Sequence, residues 1–183
     1  HVAWQDDRAG NQDISIATSS NAFITNTITR ITSNTSDQTA PAVAASSSNT
    51  VYVLWMDARN SSSDIYGAAG SSWTNVPVVT KAAGQSSPAI AVESAGSILH
   101  ILWVDQTSGN SDIYYASSNG LPSSPLTGTN LIDDTSDAEQ TSPAIAVAGS
   151  TGSSLKVFAC WEDRRNVSGS TGDTDIYLVQ TNA

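Results

Sequence analysis

Four pairs of aspartates stand at the two ends of short polar stretches: Asp6 and Asp13, Asp57 and Asp64, Asp105 and Asp112, and Asp163 and Asp175. Each pair has a Trp two residues before its first Asp (Trp4, Trp55, Trp103, Trp161) and an Ile directly after its second (Ile14, Ile65, Ile113, Ile176). Carboxylates so placed can do two kinds of chemistry. They can accept backbone N–H bonds and fix a tight turn, with Arg8, Arg59 and Arg165 pairing with them across the hairpin. Alternatively, they can ligate calcium, which takes roughly six to eight oxygens from carboxylates, carbonyls and amides. Two carboxylates per loop supply too few oxygens for that shell, and the neighbouring Arg competes with a cation. Turn fixing is therefore the expected role of most of these residues. Thr107 interrupts the Arg pattern in the third copy. The last loop is longer and adds a third acid, so Asp163, Asp173 and Asp175 are the candidate calcium ligands. Calcium is the one cofactor the sequence suggests.

Other residues could contact a ligand. Asp133, Asp134 and Asp137, with Glu139, form a second acidic cluster that reads either as a solvated loop or as a contact surface. A Trp repeated at one position in every copy is expected to be core. Trp73 falls outside the repeat, in a variable segment after Gly70-Ser71-Ser72, and is the better candidate for an exposed aromatic contact. No catalytic residue is assigned. Glu93, Glu139 and Glu162 are the only glutamates, and Arg8, Arg59, Arg164 and Arg165 belong to the hairpin motif. No paired-carboxylate site, Ser/His/Asp order, phosphate loop or zinc spacing emerges. Of the two histidines, His100 sits in an apolar run and His1 aligns with ordinary strand residues of the other copies.

The elements that position these residues are all strands. A Pro-Ala run (Pro41, Pro88, Pro143), a Trp run, an Asp-Ile run and a more variable segment (23–31, 73–80, 126–132) follow one another in fixed order. Each is short, rich in Val, Ile, Tyr, Trp or Thr, and bounded by Ser, Asn, Gly or Asp, as strands and turns are. Proline is expected to open its strand, where the missing N–H does least harm. No window has helical periodicity. Runs such as Val51–Trp55 and Leu99–Trp103 are apolar on both strand faces, as expected for a sheet sandwiched between two others. Four strands per repeat of about 50 residues predict an all-β fold, a β-propeller of four-stranded antiparallel blades. A two-sheet sandwich is the alternative.

The expected repeats run over about 1–40, 41–87, 88–142 and 143–183, within a single propeller segment covering 1–183. The first lacks its Pro-Ala strand and the last its variable strand, about three and a half repeats in all. That pattern is expected either of part of a larger propeller or of blades completed by another chain.

Composition narrows the partners. Of the 183 residues, 39% are hydrophobic and only 13% charged, with a net charge of −10. A surface built on hydroxyls and amides is common in secreted and cell-surface proteins. The acidity disfavours nucleic acid and anionic membranes. Cys160 is the single cysteine, so no intramolecular disulfide forms. No stretch approaches the roughly 20 apolar residues of a membrane helix.

At its Trp-x-Asp-x-Arg…Asp-Ile-Tyr and Ser-Pro-Ala-Ile-Ala-Val runs, the chain resembles a repeat of secreted bacterial and archaeal proteins. Its relatives look like the sialidase-type propellers with BNR or Asp-box repeats. The resemblance covers nearly the whole chain and implies a propeller. An Asp stands at each end of the turn here, in place of the Ser-x-Asp-x-Gly-x-x-Trp signature. The expected function is an extracellular or cell-surface module that binds a glycan or a protein without acting on it. Two alternatives remain: an assembly protein whose open blade edges pair between chains, and a fragment of a sialidase-type glycoside hydrolase.

Overall fold

The computed structural model describes residues 1–94, 97–131, 138–149, 155–166 and 174–182. Among them every regular element is a strand. Strands β1 (Val2–Asp6), β2 (Asp13–Thr18) and β3 (Thr27–Arg30) form the first sheet. The second holds β4 (Gln38–Ala45), β5 (Val51–Asp57), β6 (Asp64–Ala69) and β7 (Val76–Val79). The third holds β8 (Gln85–Val92), β9 (Ile98–Asp105), β10 (Asp112–Asn119) and β11 (Thr129–Asn130). The fourth holds β12 (Gln140–Ala148), β13 (Lys156–Asp163) and β14 (Asp175–Asn182). Neighbouring strands within each sheet are consecutive in the chain and antiparallel. The variable strands are shorter than the sequence suggests. Trp73, expected within one of them, sits in the irregular segment between a turn at 70–72 and β7, with φ of 49°.

The sheets stack face to face in chain order, because each is apolar on both faces. Alternate residues of β5 point opposite ways. Val51, Val53 and Trp55 pack with Ile14 and Ile16 of the first sheet. Tyr52 and Leu54 pack with Leu99, Ile101 and Trp103 of the third. Leu102, Val104 and Ile113 then meet Ala159 and Trp161 of the fourth. Every inner Trp thus faces the preceding sheet. Gly128 lies against the ring of Trp103, where a Cβ would overlap the indole.

Two repeated details differ from expectation or extend it. Pro41, Pro88 and Pro143 do not open their strands. Each follows a Gln-x-x tripeptide already in the ladder, at a shift of register between Thr39 and Ala42, Ser86 and Ala89, and Thr141 and Ala144. A bulge leaves one residue unpaired, so a proline there forfeits no ladder bond. The residue before each proline takes a left-handed backbone, with φ of 50° at Ala40, 50° at Ser87 and 54° at Ser142. The glutamines that begin these strands, Gln38, Gln85 and Gln140, are fully buried. Their backbone N–H groups donate to the preceding sheet, at Gln12 O, Ser63 O and Ser111 O, over 2.8, 2.8 and 2.7 Å. They tie consecutive sheets together at the end where the Asp hairpins lie.

Candidate functional site

The four Asp pairs close the ladders between the Trp strands and the Asp-Ile strands. Asp6 faces Asp13, Asp57 faces Asp64, Asp105 faces Asp112 and Asp163 faces Asp175. The first Asp of each pair accepts from the indole Nε1–H of the Trp two residues earlier, over 3.2, 3.0, 2.9 and 3.0 Å. Its other oxygen accepts a backbone N–H two residues later, from Arg8, Arg59, Thr107 or Arg165. The arginines do not reach across the hairpin to the second Asp. They fold back on the first. Arg59 Nε and Nη2 lie 2.8 and 2.6 Å from the two oxygens of Asp57, and Arg165 is 2.9 and 2.5 Å from those of Asp163. The reason is the turn: its first backbone N–H already bonds that carboxylate, which puts the Arg side chain over it. The guanidinium groups of Arg59 and Arg165 also cover the Tyr opposite the Trp, at 4.1 Å from the Tyr66 centroid and 4.3 Å from that of Tyr177.

The third copy keeps this geometry without its Arg. Thr107 donates its hydroxyl to Asp105. The positive charge comes from Lys81, in the segment between β7 and β8, whose Nζ is 2.8 Å from Asp105 Oδ2 and 4.2 Å from the Tyr114 centroid. Lys81 escaped the sequence reading, since no spacing links it to Asp105.

These carboxylates stay charged. Burial alone would raise the pKa of Asp57, Asp105 and Asp163. The donated bonds from Arg59, Lys81 and Arg165, from the indoles and from the backbone outweigh it and lower all three. A carboxylate with both oxygens engaged by cations and N–H groups is a structural anchor rather than a general acid.

Of the three candidate calcium ligands, Asp163 is engaged in this way. Asp175 Oδ2 accepts from Asn166 Nδ2 at 3.0 Å, and Asp173 lies outside the described residues. Among the described residues, no three acidic, His or Cys side chains converge as a metal site. Asp133, Asp134 and Asp137 also lie outside the described residues.

Trp73 is brought into a different place, a groove of about 470 Å³ between the first and second sheets. The indole is half-buried and rests on the Ile14, Ile16 and Val53 cluster. Thr18, Thr29, Asn49 and Ser71 line the same groove. A polar cleft of about 450 Å³ continues from it through shared residues Thr18 and Asn49. Asn75 fixes this corner, donating to Trp73 O and, across the sheets, to Ile31 O, each over 3.0 Å. Both Trp73 and Asn49, with φ of 49° and 63°, hold left-handed backbone. Strain of that kind, of order 1–3 kcal/mol per residue, persists only where surrounding structure over-determines it.

No family model matches the sequence, and no curated protein matches it. Solved structures do resemble the fold. A thermostable family-43 glycoside hydrolase superposes with a TM-score of 0.61 at 12% identity, covering 97% of this chain and 66% of that one. A putative TolB from Agrobacterium tumefaciens gives 0.58 at 17% identity, over 98% of this chain and 56% of the other. The Penicillium chrysogenum alpha-L-arabinanase complexed with arabinobiose gives 0.58 at 14%, over 90% and 54%. The chain therefore spans between about half and two thirds of these structures. At such identities the likeness establishes the fold alone: all-β, of the β-propeller type. It supports a propeller in general and not the sialidase-type repeat in particular.

Proposed function

We propose that this chain is part of an extracellular or cell-surface β-propeller that binds a glycan, without acting on it, in the groove walled by Trp73. The observation that carries the reading is the half-buried indole beside hydroxyl and amide side chains in one open groove. Pyranose and furanose rings present apolar C–H faces and a rim of hydroxyls, so an aromatic surface with short polar neighbours complements them. The groove's volume falls within the usual range for small-ligand sites, roughly 300–1,000 Å³. Rigid stacked sheets hold these loops in place, as propellers and other binding scaffolds do. The hydroxyl-rich, weakly charged surface favours an extracellular setting, and the repeats are on this reading a segment of a longer propeller related to the sialidase type.

The non-enzymatic part rests on the first Asp of each hairpin, whose carboxylate is committed to an Arg or Lys and a Trp. The test is titration calorimetry against arabino-oligosaccharides and sialosides, the first chosen because the arabinanase neighbour holds arabinobiose. Heat of binding that disappears in Trp73→Ala supports the groove. Binding that survives this substitution, or no binding to any glycan on an array, removes it. Turnover of a fluorogenic sialoside or arabinoside by the purified chain would overturn the non-enzymatic reading.

A further inference from the structure

The Trp73 groove and the polar cleft that continues it are lined differently. Ile16, Val51 and the indole give the groove an apolar wall. The cleft is lined by hydroxyl and amide side chains, Ser19, Ser20 and Asn26 among them. Thr18 and Asn49 line both spaces and so mark their junction. Thr18 closes β2, and Asn49 lies in the turn between β4 and β5. Polar groups of two different sheets therefore flank the junction, at the strand ends opposite the Asp hairpins.

Among the described residues, no Asp, Glu, Lys or Arg lines either space. Strand geometry keeps the cations away. Alternate residues of β2 point opposite ways. Ile16 lines the groove, whereas Ser15, in register with Arg30, faces the other side of the sheet. Arg30 pairs there with Asp13, and Arg8 with Asp6. Arg59 and Arg165 are held at the hairpins by Asp57 and Asp163. A ligand carboxylate entering the groove would lose water without meeting one of these guanidinium groups, which is unfavourable. A sugar hydroxyl is donor and acceptor at once, and the amide of Asn49 offers both functions in return. The turn fixes Asn49 in place: its backbone N–H donates to Ser46 O over 2.9 Å, with φ of 63°.

We propose that the ligand of this site is a neutral oligosaccharide of at least two rings, and that Asn49 selects for its length. One ring stacks on Trp73. The next passes between Thr18 and Asn49 into the polar cleft, where its hydroxyls meet the Asn49 amide. Sialosides and uronates are disfavoured for want of a cation. The inference rests on the reading that the Trp73 groove binds a glycan, and it names the class of that glycan.

The test is an array of neutral and acidic oligosaccharides, with sialosides and oligogalacturonates among the acidic ones. Calorimetry then follows with a length series, one to three rings, of the neutral glycan bound most tightly. The tightest binders are expected to be neutral. Affinity should rise about tenfold from one ring to two, as one or two further hydrogen bonds would give. Asn49→Gly keeps the left-handed turn without strain and removes the amide. It is expected to reduce the gain from the second ring to about threefold or less. Thr18→Val, which keeps the side-chain shape and removes the hydroxyl, should act in the same direction. Binding that depends on Trp73 but favours acidic glycans overturns this inference and leaves the glycan reading standing. So does Trp73-dependent binding that is as tight for one ring as for two, or a length gain unchanged in Asn49→Gly. Binding that ignores Trp73→Ala, or no binding on the array, removes the glycan reading and this inference with it.

Discussion

Lys81 Nζ lies 2.8 Å from Asp105 Oδ2, and it reaches there from the segment between β7 and β8. In the second and fourth sheets the same role belongs to an Arg two residues after the Asp. The third sheet has Thr107 at that place, so its buried carboxylate depends on a neighbour. Lys81→Ala should leave Asp105 short of its cation and destabilise the chain by about 2–3 kcal/mol. Thr107→Arg added to Lys81→Ala should recover at least half of this, because it restores the local partner. Urea midpoints of the two variants check it; a double variant no more stable than Lys81→Ala alone would separate Lys81 from the repeat motif.

Acid should unfold the chain over a defined window. Asp57, Asp105 and Asp163 have pKa values lowered in the folded state. A carboxylate with a depressed folded pKa contributes stability that is present above its unfolded value, about 3.9, and is lost as pH falls below it. Melting temperature should therefore hold near neutral pH and fall from about pH 4 downward. A plateau extending to pH 2 would contradict the assignment.

Ser87→Gly should raise stability. Ser87 holds φ of 50° at the bulge before Pro88. Glycine adopts this backbone without the Cβ penalty of roughly 1–2 kcal/mol, though its freer unfolded chain takes back part of the gain. The expected increase is about 0.5 kcal/mol, read as a melting-temperature shift of a few degrees. Ala40→Gly should behave alike, as φ there is also 50°.

The two kinds of Trp should separate cleanly. Trp73→Ala should abolish glycan binding while leaving the circular dichroism spectrum unchanged, since the indole is only half-buried. Trp55 is 0% exposed between two sheets. Its replacement by Ala should cost about 3–5 kcal/mol and compromise folding itself.

Calcium should matter little to the anchored hairpins. Both oxygens of Asp163 are held by Trp161 and Arg165, so an ion would have to displace a guanidinium. The expected outcome is a melting temperature unchanged by a chelator. A fall that Asp175→Asn abolishes would assign an ion to the last hairpin.

Much of this was legible in the chain itself. The Trp-x-Asp and Asp-Ile runs mark β5 and β6, or β9 and β10, because a pleated strand with two buried faces is written as a short apolar run between turn residues. The two-residue step from Trp to Asp also places indole and carboxylate on one face, where Trp55 meets Asp57 at 3.0 Å. The glutamines three residues before each Pro, Gln38, Gln85 and Gln140, escaped the sequence reading, because strand periodicity does not say that a glutamine is buried. What tertiary structure alone decided is which repeats touch. Lys81 meets Asp105 and Asn75 meets Ile31 because separate sheets stack, and no periodicity within a strand encodes a distance between sheets. The same holds for the ends: Ile14 and Ile176 follow the same Asp in the same motif, and only stacking makes one core and leaves the other open to solvent.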